Sequence, residues 1–292
     1  MKKPNHDIDS EYTAGKYAQS DFIDFFNEYL SFQREIEELP TKIVKDKFQK
    51  KSESKFLNIA KHKSRGSQDS SCLFRKSTNS SDILINLWLS SVSRKSKLVV
   101  MANKFPEYKG LSKSDLTDLV KLSTDDEFIY KIPLILLEKG IIVIYEKSLE
   151  GMKLDGAVYK NEYGNPIIGL SFRFSRVDSF WFTLMHELSH IHLHYDKLEN
   201  VIIDDITETD SSDLVEMQAN KLSRDSLISR SAWRGSSVRR EHSKESIYKF
   251  ATELKIDPAI VAGRVRFETE NYSIFSDIIN KLDLRKMVFK NG

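Results

Sequence analysis

Residues 186–190 read His-Glu-Leu-Ser-His, inside the stretch FWFTLMHELSHIHLHYD that runs from Phe180 to Asp196. On a helix, positions i and i+4 share a face, so His186 and His190 can present imidazole nitrogens to one metal ion. Glu187 follows the first histidine, where its carboxylate can reach a water on the metal rather than the metal itself. That arrangement is the chemistry of hydrolytic zinc, with the carboxylate as general base. The alternative reading is two core or solvated histidines beside an ordinary acid. The flanks argue against it. Phe180, Trp181, Phe182, Leu184, Met185, Leu188 and Ile191 make the segment apolar nearly all round, and a buried helix carries polar groups only at a cost unless they are used.

A third ligand is available in Glu216, within a second helical stretch from Ser212 to about Ser226. Glu216, Ala219 and Asn220 fall on one face, so Glu216 can complete a His2Glu set with a fourth position left for water, and Asn220 can support a histidine by a hydrogen bond. The rival reading makes Glu216 one more acid after Asp204, Asp205, Glu208, Asp210 and Asp213. A glycine and a third histidine after His190 would define another class of zinc site, but Leu193 and Asp196 stand there. His194 shares the face of the two ligands, yet lies two turns from His186. It reads as a residue supporting the site from the helix end, and His192 as solvated. Tyr195, His242 and Arg264 are candidates for steadying an oxyanion. Arg173, Arg176 and Asp178 precede the metal helix and read as a salt-bridged helix start.

The remaining elements must hold that helix in place. Ile141–Glu146, Gly156–Lys160 and Ile167–Ser171 are rich in β-formers and are separated by turn chemistry, notably NEYGNP at 161–166. They predict a small sheet leading into the metal helix, whose edge can hold an extended peptide by strand addition. Short helices are expected over Ile83–Ser93, over Ser112–Leu122 with Ser112 or Ser114 as N-cap, and over Phe128–Lys139, with Pro133 near its first turn and Gly140 as its stop. After the Glu216 helix come Arg230–Val238, Glu241–Leu254, a helix opened by Asp257-Pro258, and an amphipathic tail over Tyr272–Phe289 that packs back on the domain. The class is therefore α+β, with a helical region on the N-terminal side.

Composition limits the setting. The chain has 45 basic and 43 acidic residues, a net charge of +2, so bulk charge makes no case for nucleic acid. Cys72 is the only cysteine, which excludes an internal disulfide and fits a reducing compartment. The N-terminus MKKPNHDIDSEY lacks the apolar core of a signal peptide, and no apolar run approaches a membrane span. The expected location is cytoplasmic. Residues 1–80 read as a polar and basic helical region, with a helix over Tyr17–Leu39 and a Ser-rich linker over Ser64–Asp82. The basic segment Lys42–Arg65 could touch nucleic acid or an acidic partner; a solvated helix face is the plainer reading.

DGAVYKNEYGNPIIGLSFRFSRVDSFWFTLMHELSHIHLH, then EMQAN, then LKIDPAIVAGRVRFE resembles the ImmA/IrrE family of bacterial metallopeptidases. It is more closely similar to the catalytic part of HigA-type proteins, in which such a domain follows a helix-turn-helix. The resemblance covers roughly 81–292 and joins three motifs in order. It divides the chain into the N-terminal region 1–80 and a metallopeptidase domain 81–292, with a helical lead-in 81–140, a catalytic core 141–230 and C-terminal helices 231–292. It implies a zincin-like fold of the gluzincin type, with the small sheet packed on the metal helix, and a Zn2+ ion. It implies His186, His190 and Glu216 as ligands, Glu187 as general base, and a protein substrate: a repressor or regulator cleaved in the cytoplasm. No helix-turn-helix is recognisable before it. A non-cleaving regulatory or antitoxin-like binding protein of a toxin–antitoxin or mobile-element system is the alternative function.

Overall fold

The computed structural model describes residues 80–102, 106–198, 202–203 and 214–289. The expectations for Tyr17–Leu39, Lys42–Arg65, Cys72 and the acidic residues 204–213 lie outside them. Among the described residues, no helix is long and apolar enough to cross a membrane.

The chain opens with α1 (Ser80–Ala102), α2 (Lys113–Lys121) and α3 (Phe128–Glu138). Helix α1 begins inside the expected linker and runs nine residues past Ser93, because Ser96 is buried and Val99 and Val100 pack against the apolar cluster beneath the helix. Ser112 caps α2: its Oγ accepts from the Asp115 N–H at 3.1 Å, and the Asp115 carboxylate accepts from the Ser112 N–H at 2.8 Å. Gly140 ends α3 at φ +77°, where a Cβ would stand 2.7 Å from the Pro106 carbonyl.

Pro133 lies in the middle of α3, not in its first turn. It cannot donate to the Ile129 carbonyl four residues back. The Tyr145 hydroxyl donates to that carbonyl instead, at 2.9 Å. Burial pushes the Tyr145 phenol well above its ordinary value, so it stays a donor. Tyr145→Phe is expected to destabilise the protein by about 1–3 kcal/mol, the cost of stranding a carbonyl inside; urea unfolding measures it, and an unchanged midpoint would remove this role.

The strands β1 (Ile142–Tyr145), β2 (Gly156–Lys160), β3 (Pro166–Leu170) and β4 (Ile202–Ile203) form one sheet in the order β1-β3-β2-β4. β1 runs parallel to β3, with Ile142 opposite Ile167, while β2 is antiparallel to both β3 and β4. β4 pairs with Ala157 and Val158 of β2, so on that side the sheet already carries chain along part of β2's length.

Both sheet faces are covered, which accounts for strands that read as continuous apolar runs rather than as alternating ones. Ile142, Ile144, Ala157, Tyr159 and Ile167 face α1, around the fully buried Trp88. Val143, Val158, Ile168 and Leu170 face the other way, into the larger core with α4 (Val177–His194). Trp181, Leu184, Met185, Leu188 and Ile191 of α4 have no exposed surface, as the all-round apolar sequence requires.

Helix α5 (Leu214–Leu227) packs along α4, and α6 (Arg230–Gly235), α7 (Val238–Glu241), α8 (Lys244–Leu254) and α9 (Pro258–Glu268) follow. Asp257 caps α9 by accepting from the Ala259 N–H at 2.7 Å, with Pro258 as the first helical residue. The tail forms two short helices, α10 (Ser276–Ile279) and α11 (Leu284–Val288), and buries Ile278, Ile279 and Leu284. The described residues thus form a helix-rich α+β fold around a small mixed sheet.

Candidate metal centre

Helix α4 starts where Arg176 leaves the helical region. Its guanidinium pairs with Asp178 at 3.0 Å and donates to Ser179 at 2.8 Å. Arg173 pairs elsewhere, donating twice to Asp155 at 2.6 and 3.0 Å. The helix start is thus tied to the loop before β2, and Asp178 in the first turn suits the positive end of the helix dipole.

Two turns further, one helical repeat sets His186 and His190 side by side, with ring centroids 4.7 Å apart and planes at 70°. Their Nε2 atoms are 2.9 Å apart. Across from them α5 brings in Glu216, its Oε2 lying 3.2 Å from His186 Nε2 and its Oε1 lying 3.3 Å from His190 Nε2. These three residues alone, among those described, form a group with ligand atoms within 4.8 Å of one another. Four donors around a tetrahedral zinc at roughly 2.0–2.1 Å stand about 3.3 Å from each other. The two histidine–carboxylate distances, each to a different Glu216 oxygen, are at that spacing and the two Nε2 atoms are closer, at 2.9 Å, while two imidazoles with a carboxylate are a donor set zinc accepts. The residues present therefore fit the ion.

The surroundings are graded. His190 and Glu187 have no exposed surface, whereas the side chains of His186 and Glu216 keep 12% and 31%. The centre is held from inside and reached from the Glu216 side. The Glu187 carboxylate lies against the start of β2, at Gly156.

His194 stands behind His190, with the two Nδ1 atoms 3.3 Å apart, and its Nε2 meets Gln218 Oε1 at 2.9 Å. One protonation pattern satisfies the chain. His190 donates from Nδ1, keeping Nε2 as a lone pair toward Glu216; His194 accepts at Nδ1 and donates from Nε2 to the amide oxygen. Burial, helped by neighbouring His190, holds His194 below the ordinary imidazole value, with the Gln218 bond opposing. Gln218 was missed in the sequence because it sits two residues past Glu216, off the face assigned to that helix. Asn220, expected in this role, is exposed, and its carbonyl accepts from Ser223 and Arg224.

The three oxyanion candidates have other contacts. The Tyr195 hydroxyl donates to the Gly164 carbonyl at 2.6 Å. Arg264 donates to Glu268 at 2.7 Å and lies over the Trp233 ring. His242 adopts a left-handed conformation at the end of α7, on the surface. His192, read as solvated, bonds through Nδ1 to the Leu111 carbonyl and helps fix the segment before α2 against α4.

A buried helix with two imidazoles on one face, a carboxylate on the next and an acid delivered by a second helix defines a metallopeptidase type of site. Residues 137–266, from the end of α3 to the last turn of α9, match the family model for the IrrE N-terminal-like domain, a peptidase family. The match supports an ImmA/IrrE family metallopeptidase, and the matched segment contains every residue of the centre described above. No curated protein matches the chain.

Proposed function

We propose that the protein is a zinc-dependent endopeptidase of the gluzincin type that cleaves a transcriptional repressor or regulator in the cytoplasm. The observation that carries the enzymatic part is the convergence of His186, His190 and Glu216: the two Nε2 atoms are 2.9 Å apart and each faces one Glu216 carboxylate oxygen, at 3.2 and 3.3 Å, with the fully buried Glu187 next to His186 in the chain. The ImmA/IrrE resemblance supplies the substrate class. His186, His190 and Glu216 would hold the ion. When bound, zinc supplies Lewis acidity and lowers the pKa of a coordinated water toward about 7.

Glu187 takes the proton of the attacking water on its carboxylate and returns it to the leaving amine as the peptide bond breaks. Its enclosure keeps it from bulk water, so the proton it takes passes between the attacking water and the leaving amine. A purely structural ion would need no such acid, which favours the enzyme over a non-cleaving binding protein.

The reading is tested by loading the purified full chain with zinc, incubating it with a quenched-fluorescent peptide library and following cleavage by fluorescence and mass spectrometry. One zinc per chain and cleavage that stops with a chelator is the expected result. Stoichiometric zinc with no cleavage of peptides, nor of repressors encoded beside its gene, would leave the binding-protein alternative standing.

The pair behind His190 has its own consequence. Gln218→Leu removes the acceptor that holds His194 in one tautomer, and with it the partner that keeps His190 Nε2 free. Zinc affinity is expected to fall by about 10–100-fold with little change in fold, measured by competition against a chromogenic chelator. An affinity equal to wild type would show that the pair does not orient the ligand.

A further inference from the structure

Glu187 owes its position to a missing side chain. Gly156 begins β2 opposite Leu170 in the ladder, and its strand geometry is open to any residue; the glycines with positive φ are elsewhere, at 110, 140, 151 and 164. Conformation therefore does not demand glycine there, and a glycine inside a strand weakens it unless something must come close. What comes close is the base. A Cβ at 156 would stand 2.2 Å from Glu187 Oε1, 3.0 Å from its Cδ, and 2.8 Å from Thr183 Cγ2. Thr183 and Glu187 are one turn apart on α4, so both meet β2 on the same helical face.

We infer that Gly156 is a positioning residue for Glu187: the bare backbone at 156 is the seat against which the carboxylate rests beside the metal centre. The inference rests on the reading of Glu187 as general base. Any side chain at 156 displaces the carboxylate by about 1 Å to reach ordinary contact, and a misplacement of that size costs about 100-fold in a reaction that depends on alignment. The atoms in the way are the movable ends of side chains, so the fold can absorb an added methyl. The function cannot.

Gly169 provides the contrast. It sits in β3 opposite Ala157, and a Cβ there would stand 2.7 Å from the ring of the fully buried Trp88, on the sheet face turned away from α4. Gly169→Ala is expected to lower the Tm while the folded protein keeps its kcat. Gly156→Ala is expected to do the reverse: a Tm close to wild type, one zinc per chain, a kcat on the quenched-fluorescent peptide library down about 100-fold and a KM little changed.

Two further measurements tie the loss to Glu187. In the Glu187→Gln background, Gly156→Ala should cost nothing more, since the group it acts through is already disabled. A crystal structure of Gly156→Ala should show the carboxylate moved from β2. Should the single variant fold poorly, Gly156→Ala with Thr183→Ser removes the second contact and carries the same expectations. Wild-type turnover in a folded Gly156→Ala protein, an additive loss in the Glu187→Gln background, an unmoved carboxylate, or failure of both variants to fold would each overturn the inference. If Glu187→Gln itself proves active, the base assignment falls, while the carboxylate's position in the Gly156→Ala crystal still decides whether residue 156 seats it.

Discussion

Glu187→Gln is expected to keep one zinc per chain and lose peptide hydrolysis by roughly 10²–10⁴-fold. The exchange is nearly isosteric and occurs at a position with no exposed surface, so packing around α4 survives. The metal affinity should survive as well, because the proposed ligands are His186, His190 and Glu216, a group that does not include Glu187. An amide cannot take a proton at neutral pH, so water is left without a base and the leaving amine without an acid. Burying a neutral amide costs less than burying a carboxylate, so the variant should be at least as heat-stable as wild type. Loss of turnover without loss of metal or of Tm separates a chemical role from a structural one. Turnover near the wild-type value, with zinc present, would sink the general-base assignment and with it the main reason to prefer the enzyme over a binding protein.

Glu216→Ala is expected to have the second large effect, acting through the metal instead of the base. Glu216 is the one donor supplied by α5, and it reaches both histidines at 3.2 and 3.3 Å. Without it two imidazoles on a single helix remain, a set too small for a tetrahedral structural or catalytic site. Zinc affinity should fall by more than about 100-fold, beyond the effect of losing a supporting hydrogen bond, and hydrolysis with it. Stability follows by mass action. A ligand present at about 1,000 times its Kd contributes about 4 kcal/mol to the folded state. Chelation should therefore lower the Tm of the wild type markedly and that of Glu216→Ala hardly at all. Calorimetry with and without zinc checks both. A Glu216→Ala protein that holds zinc as tightly as wild type and still cleaves peptides would show that another acid completes the site.

The chemistry was legible in the sequence wherever it depends on one helical repeat. His186 and His190 meet because i and i+4 always meet on a helix, and an apolar run on every side meant that this helix had to be buried. The sheet was legible from its β-formers, and the caps at Ser112 and Asp257 from residues whose side chains satisfy helix ends. Reading one helix at a time put Asn220 where Gln218 belongs, since a face assigned from spacing alone is only as accurate as the assumed contact line between two helices. Pro133 was expected near the first turn of its helix, where a missing N–H costs nothing; in the middle of α3 it leaves the Ile129 carbonyl to Tyr145, far along the chain.

By itself, then, the amino-acid order determined the helix, the two histidines that share one of its faces and the acid beside them, since these follow from spacing within about two turns. Only the tertiary structure decided how near Glu216 comes to the two histidines, that Gln218 stands behind His194, that β1 runs parallel to β3, and that Gly156 leaves room for Glu187. Each of these is a meeting of residues far apart in the chain, set by which apolar faces bury against one another, and no local pattern encodes the distance at which two packed elements come to rest.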